Sequence, residues 1–144
     1  AYPQLNGTVF DLPHVTDAAR RLYQNSERLQ FAGGDFFMEV PIAGDTFILK
    51  KIIHDWPDDR AEQILRRCRK AMSPRSRLLL IELIVPRDEA ATFTKFLDLW
   101  MMVWPGGLER TEDEYRSLLD SAGLSATRIV PTASPVSVIE AVPI

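Results

Sequence analysis

Apolar and polar positions along this chain follow two different periods, and each switch between them marks an element. Thr8-Val9-Phe10-Asp11-Leu12 is a short apolar run stopped by Pro13, which predicts a buried strand. From Thr16 to Asn25 the sequence turns polar, with Ala18, Ala19, Leu22 and Tyr23 on one side, and this predicts a helix. Leu29-Gln30-Phe31-Ala32 predicts a second strand, closed by Gly33-Gly34. The run from Phe47 to Ile53 is apolar at both ends with Lys50 and Lys51 between, and reads as a third strand. Ala61, Ile64, Leu65, Cys68 and Met72 form one continuous helical stripe over Asp58–Met72. Asp58 and Asp59 at its start and Arg66, Arg67, Arg69 and Lys70 near its end suit the helix dipole. Leu78 to Val85 is almost unbroken apolar sequence, the mark of a strand covered on both faces.

A further helix is predicted over Thr94–Val103, and another beginning at Thr111, where Thr111 and Glu114 have capping-box spacing. Tyr115, Leu118, Leu119 and Ala122 make its apolar face, and Gly123 ends it. Two closing strands, about Ala126–Val130 and Val136–Val142, flank the turn Thr132-Ala133-Ser134-Pro135. The order predicts an α/β fold with a mostly parallel sheet and a final antiparallel hairpin. Ligands of such sheets bind beyond the carboxyl ends of the strands.

Composition narrows the function. The 144 residues suffice for one domain, and 46% hydrophobic content suffices for its core. A net charge of -3 leaves no basic field for a nucleic acid. Cys68 is the single cysteine, so an internal disulfide and a Cys-rich zinc site are excluded, in keeping with a reducing cytoplasm. No apolar run approaches the ~20 residues of a membrane span. His14 and His54 share no metal-binding spacing. The chain opens on Ala1-Tyr2-Pro3 without an initiator Met, and we read it as part of something longer.

Acidic residues and a histidine stand at the strand ends. Asp11 ends the first run and suits a carboxylate accepting both hydroxyls of a ribose, although its position alone favours an aspartate satisfying backbone amides before Pro13. Asp35 closes the second run in the same way and serves equally as a turn aspartate. His54, followed by Asp55 and Trp56, places a group titrating near pH 6.5 beyond an apolar strand. An imidazole there can take a proton from a hydroxyl if a carboxylate supports it, and Asp55, Glu82 and Glu109 are the candidates. The bland alternative makes His54 a surface histidine and Glu82 an exposed strand residue. Gly106-Gly107 lacks the Lys-Ser/Thr of a phosphate loop and reads as a simple turn into the capped helix.

These residues carry a family likeness. Phe10-Asp11-Leu12-Pro13-His14-Val15, Gly34-Asp35-Phe36-Phe37, Leu49-Lys50 through His54-Asp55-Trp56, Leu80-Ile81-Glu82 and Asp98-Leu99-Trp100-Met101 appear in order. Gly106-Gly107-Leu108-Glu109-Arg110-Thr111-Glu112, Ala122-Gly123-Leu124 and Ser137-Val138-Ile139-Glu140-Ala141 complete the set. Together they resemble the carboxyl-terminal half of the S-adenosylmethionine-dependent O-methyltransferases of the caffeate/hydroxyindole type, including bacterial polyketide-tailoring members.

The resemblance implies a Rossmann-like class I methyltransferase sheet and a partial catalytic domain over residues 1–144. It implies that Asp11 binds the cofactor ribose, that Asp35 and Phe36 hold and flank the adenine, and that Lys50 contacts the cofactor near its reactive end. His54 would be the general base, Glu109 and Glu82 would orient it, Met101 would line the acceptor pocket, and Asp55 would be structural. Met101, Trp100 and Trp104 themselves suggest an apolar, planar aromatic acceptor. Two departures accompany it. The D-x-G-x-G turn of the family is absent from this chain, and with it the first, central strand. The amino-terminal helical region through which relatives dimerise is absent too, so homodimerisation is an expectation for the parent. Pro74-Arg75-Ser76 stands where glycines are frequent. Two rival readings follow: a non-catalytic fragment or partner subunit without an intact cofactor site, and a family-like domain that catalyses a variant reaction.

Overall fold

The computed structural model describes residues 2–23, 27–86 and 106–144, and the helix expected over 94–103 lies outside them. The described chain divides into two units, Ala1–Ile42 and Ala43–Ile144.

In the first unit, β1 (Gly7–Asp11) pairs in parallel with β2 (Leu29–Gly33), joined by α1 (Pro13–Leu22). The helix begins three residues before its predicted start. Pro13 ends the strand and also opens the helix, because its fixed φ suits the first helical turn and its missing N–H is not needed there. Thr16, buried on α1, donates its hydroxyl to the carbonyl of Pro13 at 3.0 Å. The register sets Asp11 opposite Gly33, and the N–H of Gly34 donates to the carbonyl of Asp11 at 2.9 Å. Asp11 and Asp35 therefore both stand at the carboxyl end of this small sheet.

The second unit holds a mixed sheet in the order β3-β4-β7-β6. Its strands are β3 (Thr46–Lys50), β4 (Arg77–Val85), β6 (Leu124–Pro131) and β7 (Val136–Pro143). β3 runs parallel to β4, whereas β7 runs antiparallel to both β4 and β6. A two-residue strand, β5 (Arg110–Thr111), lies parallel to the last residues of β4. The closing hairpin is as the sequence pattern predicts, and its strands reach one or two residues further at their ends.

Two helices cover this sheet's core. On α2 (Asp58–Ala71) the predicted stripe of Ala61, Ile64, Leu65, Cys68 and Met72 is buried. On α3 (Glu112–Ser121) Tyr115, Leu118 and Leu119 are buried, followed by Ala122. Thr111 caps α3 through the predicted reciprocal bonds with Glu114, and Gly123 ends it at φ +78°. α2 packs on α3 and α3 on β6. Among the described residues no helix is long and apolar enough to cross a membrane.

The strand expected over 47–53 stops at Lys50. Lys51 adopts φ +52°, a left-handed conformation that costs a residue with a Cβ roughly 1–2 kcal/mol, and the chain then leaves the sheet. Ile53–Asp55 forms a single 3-10 turn, so His54 stands on a turn beyond the strand rather than on the strand itself.

Candidate active site

Burial within β4 follows the two-residue period of a strand. Leu78, Leu80 and Glu82 share the face that meets the core, and Glu82 is fully buried. It is therefore not the exposed strand residue that the bland reading allowed. One carboxylate oxygen, Oε1, accepts the N–H of Ile52 at 3.1 Å and that of Ile53 at 2.9 Å. Left-handed Lys51 followed by right-handed Ile52 is the pairing that aims successive N–H groups at one anion. Glu82 thus fastens the backbone that carries His54.

Glu109 meets the imidazole directly. Its Oε1 lies 2.8 Å from Nδ1 of His54, and its side chain is 1% exposed. A carboxylate on Nδ1 holds the proton there, which leaves Nε2 as the basic nitrogen of the neutral ring. Nε2 in turn lies 3.3 Å from Oδ1 of the half-exposed Asp55. Of the three carboxylates proposed to support His54, two flank its ring and the third holds its turn.

The electrostatics follow from this arrangement. Burial disfavours the imidazolium, but the hydrogen bond to Glu109 and the charges of Glu82, Glu109 and Asp55 outweigh it, so the pKa of His54 is raised above 6.5. Burial pushes the Glu82 carboxyl above 4.5, against the opposing pull of His54 and of the Ile53 and Ile52 amides. Tyr115, whose hydroxyl is buried near Arg110, is held well above 10 by burial and by the charges of Glu82 and Glu109. Cys68 is pushed up to about 12 by burial alone, and is a core residue rather than a nucleophile.

Sequence reasoning missed two residues that make the arrangement possible. Gly107 runs against the His54 turn: a Cβ there would strike the carbonyl oxygen of His54 and come within 2.7 Å of the carbonyl carbon of Asp55. With glycine in place, the N–H of Leu108 donates to the carbonyl of His54 at 2.9 Å, and Glu109 follows at once. Gly107 is thus a point of close backbone approach, beyond the simple turn that the glycine pair resembled. Arg110 is 2% exposed and donates to three carbonyls and to Asp58. Its sequence signal was its place after Glu109 in the run that carries the family likeness, which gave it no role of its own.

The other expected site residues are placed as follows. Asp11 is exposed and accepts the N–H of Leu12 at 2.7 Å; Asp35, also exposed, accepts that of Phe37 at 2.8 Å. A carboxylate has about four acceptor positions, so each keeps capacity for hydroxyl or amine donors. Phe36 meets Phe37 edge to face at 4.9 Å between ring centres. Lys50, the last residue of β3, is exposed in the second unit. Met101 and Trp104 lie outside the described residues.

Comparison with known proteins agrees with the family likeness. A model of the O-methyltransferase domain matches residues 1–125. The chain belongs to the O-methyltransferase domain family. It is 46% identical to phenazine O-methyltransferase PhzM of Lysobacter antibioticus, over 99% of this chain and 42% of that protein. Human N-acetylserotonin methyltransferase, solved with S-adenosylmethionine (SAM), superposes with a TM-score of 0.90 at 32% identity, covering 99% of this chain and 41% of that one. The O-methyltransferase NcsB1 from neocarzinostatin biosynthesis was solved with S-adenosyl-L-homocysteine and 1,4-dihydroxy-2-naphthoic acid. It gives a TM-score of 0.86 at 34% identity, covering 97% of this chain and 42% of that one. The chain thus spans about two-fifths of the length of the curated relatives it matches.

Proposed function

We propose that the protein transfers a methyl group from S-adenosyl-L-methionine to a hydroxyl, phenolic in our reading, of an aromatic small molecule, with His54 as general base. The observation that carries this reading is the buried 2.8 Å contact between Nδ1 of His54 and Glu109, which leaves Nε2 as the basic nitrogen. Membership of the family and the cofactor and naphthoic acid in its solved members support it. The complete protein is read as a cytoplasmic homodimer.

When bound, the cofactor supplies an electrophilic methyl group on a sulfonium. The chain's residues do the rest. A phenol of pKa about 10 is almost wholly protonated at neutral pH, and a base that removes its proton raises its nucleophilicity. Nε2 of His54 accepts that proton, and Glu109 stabilises the imidazolium that forms. Glu82 keeps the turn, and hence the ring, in place. Asp11 is assigned to the ribose hydroxyls, Asp35 and Phe36 to the adenine, and Lys50 to the reactive end of the cofactor. Met101 and Trp104 are assigned to the acceptor.

The base works only when neutral, so turnover rises with pH through the raised pKa of His54. In the complete protein, His54→Ala is expected to lose turnover by roughly 100-fold or more on a panel of phenolic acceptors including 1,4-dihydroxy-2-naphthoic acid. Its affinity for SAM, read by calorimetry, should change little. Turnover within a few fold of the parent would remove His54 from the role. Loss of SAM binding in the unaltered protein would favour the non-catalytic reading.

A further inference from the structure

We infer that Arg110 is a positioning residue whose buried guanidinium, bonded to the carbonyls of Ile53, Trp56 and Leu108, holds Glu109 against His54. The catalytic use of that pairing rests on the reading of His54 as base; the positioning itself does not.

The geometry is specific. Nη1 donates to the carbonyl of Ile53 at 3.1 Å and to that of Leu108 at 3.2 Å. Nη2 donates to the carbonyl of Trp56 at 2.8 Å and to Oδ1 of Asp58 at 2.8 Å, and Nε reaches the same oxygen at 2.9 Å. Ile53 and Trp56 bracket His54 in the chain, and Leu108 immediately precedes Glu109. One rigid, planar group therefore grips the backbone on both sides of the imidazole and directly before its carboxylate.

A salt bridge alone does not account for burying this charge. The side chain of Arg110 is 2% exposed while that of Asp58 is 74% exposed, so the carboxylate is largely screened by water while the guanidinium bears the desolvation. What burial secures is a set of carbonyl bonds that a lysine ammonium, a compact point charge without the planar fork, cannot reproduce. Among the described residues, the charged and titratable groups around the ring are Asp55 on its own turn, Glu82 on β4 and Glu109 on the loop before β5. Arg110 and Tyr115 stand in the same interior.

The test uses the complete protein and reads the imidazole 15N signals of His54 across pH, assigned by their loss in His54→Gln. Arg110→Lys is expected to move the His54 titration to lower pH and to weaken the Nδ1–H tautomer signature, because the bond to Glu109 loosens. A purely structural Arg110 would lower the melting temperature and leave both signals where they are, and that result would overturn the inference. Should Arg110→Lys fail to fold, Asp58→Ala decides. It frees the fork from its carboxylate while leaving the carbonyls, and is expected to shift the titration in the same direction by less; an unmoved titration there also overturns the inference. The readout needs no turnover. An active His54→Gln would therefore sink the base assignment while the Arg110 result still stood or fell on its own.

Discussion

Glu82 stands in the apolar run Leu78–Val85 of β4 and accepts two backbone N–H groups with a single oxygen, while its other oxygen, Oε2, is buried without a partner among the described residues. Its two possible replacements should therefore part company. Glu82→Ala strands both amides, at about 1–3 kcal/mol for each buried unsatisfied group. Glu82→Gln keeps an acceptor for them and removes a costly buried charge, so urea unfolding should show it close to the parent in stability. The glutamine variant also loses a charge that raises the His54 pKa, so the acid limb of its pH–rate profile should move to lower pH. An alanine variant as stable as the glutamine one would contradict the account. A carboxylate among leucines was conspicuous in the sequence. The groups it served were not, because they lie 29 and 30 residues earlier and converge only through the left-handed Lys51.

Among the elements, those written in short-range chemistry were the most legible. The α2 stripe, the Thr111 capping box and the Gly123 stop depend on residues within a few positions of one another, and all three stand as the sequence predicts. The end of β3 was not legible, because Ile52 and Ile53 are as apolar as a strand requires and only Lys51 breaks the backbone. Gly107 was illegible for a related reason: what it must accommodate is the His54 turn, brought alongside by the pairing of β5 with β4. Gly107→Ala should push the loop off the turn and destabilise the protein by about 1–3 kcal/mol, the usual cost of overpacking. Thermal unfolding would reveal it, and an unchanged melting temperature would mean that the loop yields freely.

For the molecule as a whole, the coupling of His54 to its carboxylates becomes a pH dependence of folding. The folded pKa of His54 is raised above its unfolded value near 6.5, so the imidazolium is stabilised in the folded state. That contribution is fully present below about pH 6.5 and is lost as pH rises through the raised pKa. The stability difference between the parent and His54→Gln should be largest on the acid side and shrink toward alkaline pH; a difference that grows with pH would be incompatible with the buried ion pair. The sequence by itself determined the order of the longer described strands and helices, the buried faces of α2 and α3 and the set of candidate acids, since these rest on periodicity and capping between near neighbours. On α1 the expected apolar side leaves Leu22 and Tyr23 exposed, and only Thr16 is buried. Tertiary structure alone decided which acid meets the ring. Glu109 lies 55 residues from His54, and they touch only because β5 aligns beside the end of β4 and a glycine lets two backbones come together.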